Sequence, residues 1–168
     1  QFKGEIAQTW FINSNNYAVI DYVDPEQADE LWALNPPEMT AAFEHPVEQI
    51  IPIANGTLFL VDYADDATDE LWRTAEQVVA AQLNGDIAPA PVETDNIEIP
   101  NVVQLDNNTF FVLKYADGLP SELWDVATAE RVTALDGDLE AVIPLKDSYF
   151  FVRYADEGQV GGIWQTSS

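Results

Sequence analysis

The amino-acid sequence predicts an all-β fold made of four similar antiparallel sheets, and three observations carry this prediction. The first is a repeat of about 40 residues, with one longer step of 52 from Tyr63 to Tyr115 and from Trp72 to Trp124. The second is a segment rich in aromatic and β-branched residues before each repeated tyrosine. The third is a polar turn before each of these segments. The repeated residues are Tyr22, Tyr63, Tyr115 and Tyr154, and Trp32, Trp72, Trp124 and Trp164.

Each repeat contains the same elements in the same order. A short apolar strand is predicted at 9–12, 50–53, 101–105 and 141–145. After the turn comes the strongest strand signal, YAVIDY, LFLVDY, FFVLKY or YFFVRY. Because these segments are apolar at nearly every position, we expect both of their faces to be covered. ELW or GIW then begins a third strand, and ELWDVATAERVTAL predicts a fourth strand after it.

Four repeats of four strands predict a four-bladed β-propeller, in which each blade covers the faces of its neighbours. The last repeat ends at GIWQTSS without a fourth strand, whereas the chain begins with the strand-like FKGEIA. We therefore expect the N-terminal strand to close the last blade, because closure removes an exposed sheet edge. The prediction is a single domain over 1–168, with blade units of about 8–48, 49–100, 101–139, and 140–168 plus 1–7.

The repeated motif resembles a known class of blades. An apolar strand, a turn, FFVxYAD, a loop and ELWxxxT are similar to the blades of quinoprotein-like and YVTN-type β-propeller repeat families, as is the phrase ELWDVATAERV. The resemblance extends over essentially the whole chain and implies an architecture rather than a function. Those families generally have six to eight blades. Four repeats therefore leave open a half-propeller that pairs with another copy, or a fragment of a larger ring.

The composition narrows the function. Thirty acidic and six basic residues give a formal net charge of -24, which repels nucleic acid and anionic membranes and attracts cations or a basic protein surface. A salty habitat would explain the same charge. Cysteine is absent, so disulfides and thiolate metal sites are excluded. The chain begins with Gln1 rather than Met, so we expect either a cleaved leader or a piece excised from a larger protein; we favour cleavage and expect a secreted or periplasmic location.

A recurring aspartate follows each repeated tyrosine by two residues. In one interpretation each aspartate caps its own turn by accepting backbone N–H bonds. In the other, the four carboxylates form a ring that holds Ca²⁺. We favour the turn role and expect no cofactor, with Ca²⁺ as the alternative. The four residues are Asp24, Asp65, Asp117 and Asp156.

The insertion at 83–100 is the least repetitive part of the chain. Its prolines favour a stiff, extended backbone and its acids make it negative. We interpret it as a partner-binding loop, with a solvated excursion between two blades as the alternative. The residues proposed for the contact are Asp86, Pro89, Pro91, Glu93 and Asp95.

The sequence lacks the arrangements that nucleophilic enzymes need. His45 is the only histidine, and no GxSxG motif is present, so no Ser–His–Asp triad is predicted and we expect no enzyme. We predict a non-catalytic interaction or accessory subunit that binds a protein partner or a larger assembly, and a homo-oligomer is compatible with this. The alternative is a lectin-like propeller that binds carbohydrate or Ca²⁺, with the tryptophans as sugar platforms. A hydrolase is the least favoured function.

Overall fold

The computed structural model describes residues 4–14, 16–87, 102–105, 109–116, 119–135, 137, 139–145, 148–155 and 158–166. Within these residues the protein consists of fifteen β-strands and a short 3-10 turn at Ala54–Gly56. The strands form four antiparallel sheets, as the repeat predicted. The described part of the chain contains no helix of the length and apolarity that a membrane span requires.

The first two sheets belong to a compact unit that spans residues 1–84. Each sheet has four strands in chain order, so every strand pairs with the one that follows it. The first sheet contains β1 (Ile6–Ile12), β2 (Tyr17–Tyr22), β3 (Glu30–Leu34) and β4 (Pro37–Ala42). The second sheet contains β5 (Val47–Ile53), β6 (Leu58–Tyr63), β7 (Glu70–Arg73) and β8 (Val78–Gln82).

The other two sheets belong to a second compact unit, residues 85–168. The third sheet has four strands in chain order, and the fourth sheet has three. The third sheet contains β9 (Val102–Gln104), β10 (Phe110–Leu113), β11 (Ser121–Asp125) and β12 (Glu130–Leu135). The fourth contains β13 (Leu139–Pro144), β14 (Tyr149–Tyr154) and β15 (Gly162–Gln165).

In the first, second and fourth repeats, the predicted polar turn joins the first two strands in backbone conformations that most residues avoid. Asn13, Asn55 and Ser148 have φ values of 49°, 57° and 69°. Asparagine tolerates this left-handed region better than other residues that carry a Cβ atom. The same turn chemistry therefore sets the connection in the first, second and fourth repeats.

Each unit packs its two sheets through one apolar cluster. In the first unit, Val19 and Leu31 of the first sheet share a buried cluster with Phe59 and Val61 of the second. In the second unit, the third and fourth sheets share a cluster that includes Phe110, Leu123 and Phe150. Full burial of one large apolar side chain stabilises a fold by about 1.5–3 kcal/mol, so these clusters hold the paired sheets together.

The expectation that the second strand of each repeat is covered on both faces is confirmed for three repeats and wrong for the fourth. All four residues of β10 are buried, and β2 and β6 are buried at nearly every position. In β14 the burial alternates, with Tyr149 and Arg153 exposed between inward-facing neighbours. One face of β14 packs on the third sheet through Phe150 and Val152, whereas the other face is left largely open.

The predicted closure of the last blade is not confirmed. The fourth sheet has three strands within the described residues. Ile6 and Ala7, which the sequence analysis placed in the closing strand, lie in β1, and Ile6 pairs with Tyr22. The N–H of Val23 also donates to the carbonyl of Glu5 at 3.0 Å, which extends this pairing towards the N-terminus. The described part of the N-terminal segment therefore belongs to the first sheet.

Candidate functional site

Three of the four repeats hold a glutamate between a tyrosine and a tryptophan, and this glutamate is buried in the first and third repeats and half-buried in the second. In the first repeat, Oε2 of Glu30 accepts hydrogen bonds from the Tyr22 hydroxyl at 2.7 Å and from Nε1 of Trp32 at 2.9 Å. Glu30 and Trp32 are two residues apart on β3, so both side chains point to the same face of the sheet. The Tyr–Glu–Trp triad is thus a consequence of the repeated ELW motif.

The second and third repeats build the same triad. Oε2 of Glu70 accepts from Tyr63 at 2.7 Å and from Trp72 at 2.9 Å. Oε2 of Glu122 accepts from Tyr115 at 2.6 Å and from Trp124 at 3.1 Å. Burial, followed by the hydrogen bond to Glu70, raises the pKa of Tyr63, so its hydroxyl stays protonated and donates. The Tyr–Glu–Trp triads satisfy carboxylates that would otherwise be costly to bury.

The second carboxylate oxygen of the triad glutamate, Oε1, has different surroundings in the second and third repeats. In the third repeat, Nη1 of Arg131 donates to Oε1 of Glu122 at 2.8 Å, and this contact raises the pKa of Arg131. Arg131 lies on β12 opposite Trp124. In the second repeat the residue opposite Trp72 is Val79. Within the described part of the chain, Oε1 of Glu70 has no hydrogen-bond partner.

Glu70 lines a depression of about 510 Å³ within the first unit, which we call the His45 depression. It lies between the connection from β4 to β5 and the connection from β6 to β7. Aromatic and acidic residues line it, together with Val79 and His45. The aromatic residues are Phe43, Tyr63 and Trp72, and the acidic residues are Glu44, Asp66 and Glu70.

His45 stands at the rim of this depression. Its Nδ1 lies 2.9 Å from Oδ2 of Asp65, and its ring meets the ring of Tyr63 edge-on at 5.5 Å. The hydrogen bond from His45 lowers the pKa of Asp65 below its usual value. A second depression of about 290 Å³ is also lined by His45, together with Asp21 and Glu26. Both depressions therefore present carboxylates around one exposed imidazole.

A pair of buried aspartates fixes the loops beside the Tyr–Glu–Trp triads. Oδ2 of Asp29 accepts the N–H of Val47 at 2.7 Å, and Oδ1 accepts the N–H of Tyr22 at 3.3 Å. Oδ1 of Asp69 accepts the N–H of Tyr63 at 3.0 Å. Burial raises the pKa of Asp29, and its two backbone donors oppose the shift. These aspartates position the segments that border the two depressions.

The sequence analysis singled out other acids. Oδ1 of Asp24 accepts the N–H of Glu26 at 3.0 Å, and Oδ1 of Asp65 accepts the N–H of Ala67 at 3.1 Å. Both contacts have the geometry of an Asx turn. Asp117 and Asp156 lie outside the described residues. Among the residues that the structure describes, no group of three or more His, Asp or Glu side chains is placed to hold a metal ion.

Only the beginning of the insertion at 83–100 is described. Asp86 is exposed, and its backbone carbonyl accepts the N–H of Ala116 at 2.9 Å. Ile87 forms a β-bridge with Tyr115. This part of the insertion is therefore tied to the end of β10. Pro89, Pro91, Glu93 and Asp95 lie outside the described residues.

Two of the repeated tryptophans, Trp72 and Trp124, are packing and hydrogen-bonding residues. Trp72 and Trp124 are 7% and 4% exposed. Their rings stack on Phe59 at 5.9 Å and on Phe111 at 6.3 Å. A buried ring that is stacked on a neighbour offers no flat platform to a sugar, so these two positions belong to the core.

Comparison with known proteins identifies a fold but no family. No protein-family model and no curated protein matches the sequence. A solved structure described as the eukaryotic initiation factor is similar over 98% of this chain and 42% of its own, with a TM-score of 0.61 and 5% sequence identity. The computationally designed Ika4 protein is similar over 99% of this chain and 94% of its own, with a TM-score of 0.48 and 15% identity. This chain thus spans less than half the length of the initiation-factor structure, and the likeness at 5% identity concerns the fold alone.

Proposed function

We propose that this chain is a non-catalytic interaction subunit on a β-propeller scaffold, and that it binds a basic protein surface through the His45 depression. The observation that supports the proposal is the lining of the depression, which combines three acidic residues, Glu44, Asp66 and Glu70, with the aromatic residues Phe43, Tyr63 and Trp72. Carboxylates attract a cationic side chain, and aromatic rings add cation–π attraction when the cation lies over a ring face.

The charge of the whole chain supports the same class of partner. A net charge of -24 accelerates the encounter with a basic protein and disfavours acidic ones. Tyr63 and Trp72 both donate hydrogen bonds to Glu70 and hold this carboxylate in place. A preorganised site loses less side-chain entropy when the partner binds.

The proposal includes the closure of the four sheets into a propeller ring. β15 is the last strand of a sheet with three described strands, and Ile163 on it is 68% exposed. An unpaired strand edge is a site for the addition of a further strand. Because Ile6 and Ala7 lie in β1, the segment 1–7 is not retained as the closing strand, and the proposal requires another strand to pair with β15.

The proposal is tested with a labelled peptide that carries about four lysine and arginine residues, by fluorescence anisotropy at low ionic strength. We expect saturable binding that weakens about tenfold or more in the double variant Glu44→Gln/Asp66→Asn. The matched control is Glu38→Gln/Glu130→Gln, which makes the same charge change at exposed strand positions outside both depressions. We expect it to bind within about twofold of the wild type.

Two results would overturn the proposal. One is the absence of binding at low ionic strength. The other is an equal loss in the two double variants, which would reduce the effect to unspecific charge attraction. Calorimetry with Ca²⁺ and with glycans in place of the peptide tests the lectin-like alternative in the same preparation.

A further inference from the structure

We infer that the His45 depression is specific for an arginine side chain of the partner, whose guanidinium binds Oε1 of Glu70. The inference rests on the proposed function and deepens it by naming the side chain and the atom. It is drawn from a comparison of the protein's own repeats. The same carboxylate position occurs three times, and in the third repeat it binds a guanidinium from within the chain.

The second and third repeats share both hydrogen bonds to Oε2 of the triad glutamate and differ at Oε1. Oε2 of each glutamate accepts from a tyrosine hydroxyl and a tryptophan indole at 2.6–3.1 Å. In the third repeat, Oε1 of Glu122 receives Nη1 of Arg131 at 2.8 Å. In the second repeat, Val79 occupies the position of Arg131, and it too lines the His45 depression. The depression therefore lies where a guanidinium lies in the third repeat.

Glu70 is also more exposed than Glu122, as a site for a partner side chain requires. Glu122 is 3% exposed beneath the Arg131 side chain, whereas Glu70 is only half-buried. Glu30 of the first repeat is 3% exposed, and the residue opposite its tryptophan is Met39. Of the three described triad glutamates, Glu70 is therefore the one that offers an oxygen to a partner.

Arginine fits this site better than lysine. Its planar guanidinium presents five N–H donors in the plane of the group. One edge of the group can therefore bond Glu70 while the other donors remain for Glu44 or Asp66. A volume of about 510 Å³ lies within the usual size of a ligand pocket, about 300–1,000 Å³.

The test is a titration followed by NMR, with acetyl-Gly-Arg-Gly-amide as the probe and its citrulline counterpart as the uncharged control of the same shape. We expect the indole N–H of Trp72 and the amide of Val79 to shift and saturate with the arginine peptide, with a Kd on the order of 1 mM. The citrulline peptide should give no saturation, and a lysine peptide should bind several-fold more weakly.

Two variants locate the contact. Glu70→Gln keeps an acceptor for Tyr63 and Trp72 but removes the charge, and we expect it to weaken the arginine peptide about tenfold or more. Val79→Arg supplies a guanidinium from within the chain, as in the third repeat, and we expect it to abolish binding. Val79→Met, which copies the residue of the first repeat, is the matched control and should retain binding. The Trp72 indole signal confirms that each variant is folded.

The outcomes separate this inference from the proposed function. If Glu70→Gln and Val79→Arg bind the arginine peptide as the wild type does, or if citrulline saturates the site equally, the arginine assignment is wrong. The proposed function still stands in that case if Glu44→Gln/Asp66→Asn selectively weakens the multiply basic peptide. If neither peptide binds, both are wrong.

Discussion

At the scale of single residues, the triad carboxylates hold the tyrosine and tryptophan side chains of three repeats in place through hydrogen bonds. Each triad glutamate receives two hydrogen bonds from neutral donors, and Arg131 adds a third to Glu122. Hydrogen bonds to a charged group contribute about 1.5–3 kcal/mol, and an unsatisfied buried partner costs a similar amount. These carboxylates therefore have specific structural roles, whereas most of the acids in the described part of the chain are exposed to solvent.

Asp29 gives a prediction with a definite pH dependence. Asp29→Asn leaves one of the N–H groups of Tyr22 and Val47 without its acceptor, so we expect destabilisation by about 1–3 kcal/mol. Burial raises the pKa of Asp29 in the folded state above 3.8. The stability that this raised pKa contributes is complete below about pH 3.8 and is lost as the pH rises through the folded pKa.

The destabilisation by Asp29→Asn should therefore be largest at acid pH and should narrow towards neutral pH. Urea unfolding of both proteins across this range measures it, because the other titrating groups cancel in the difference. Asp24→Asn is the control, since Asp24 is exposed and accepts one local N–H. A difference that widens as the pH rises would contradict the prediction.

The residue scale also shows what the sequence could and could not predict of the site. The repeat identified the tyrosines and tryptophans as recurring residues, and the glutamate of ELW recurs with them in three of the four copies. The pairing of that glutamate with both rings required strand register, which a single sequence does not supply. His45 is exposed, and its contact with Asp65 could not be predicted because the two residues are 20 positions apart on different connections.

At the scale of elements, the strands were predictable because their aromatic and β-branched segments are strong and bounded by turns. The β-bulges between the third and fourth strands were not predictable from the sequence. In the first three sheets the pairing between the third and fourth strands shifts at the step from leucine to tryptophan. This repeated bulge sets which residue of the outer strand stands opposite the tryptophan, and so decides between Met39, Val79 and Arg131.

The element β15 carries a second prediction, because Gly162 replaces the triad glutamate in the fourth repeat. A Cβ atom at Gly162 would meet only Nε1 of Trp164, at 3.8 Å, so the site has room for a side chain aimed at that indole. We expect Gly162→Glu to stabilise the protein by about 0.5–2 kcal/mol, through the lower strand cost of a residue with a Cβ and a hydrogen bond to Trp164.

Gly162→Ala separates the two contributions, since it gains only the backbone term. Thermal unfolding ranks the proteins, and we expect wild type below Gly162→Ala below Gly162→Glu. A shift of the Trp164 indole N–H resonance in Gly162→Glu alone would report the new hydrogen bond. If Gly162→Glu is less stable than Gly162→Ala, the carboxylate is not satisfied there and the comparison between repeats does not extend to the fourth sheet.

At the scale of the whole molecule, the chain divides into two compact units, 1–84 and 85–168, and each has its own buried cluster. The repeat predicted four sheets but not this division, because a repeat of about 40 residues treats all neighbouring copies alike. The site lies within one unit, between its two sheets. The site differs from the corresponding position of the third repeat because Val79 on β8 stands opposite Trp72, whereas Arg131 on β12 stands opposite Trp124.

The net charge of -24 yields the last prediction, for the stability of the whole molecule. Six basic residues cannot neutralise thirty acids, so the compact state repels itself at neutral pH. Salt shortens the range of this repulsion from about 30 Å at 0.01 M to about 3 Å at 1 M. We expect the thermal midpoint at neutral pH to rise steadily over that range of NaCl. Near pH 4.1, where the net charge of the sequence approaches zero, the same salt series should change the midpoint much less. A salt response of equal size at both pH values would mean that salt acts on apolar hydration rather than on charge repulsion.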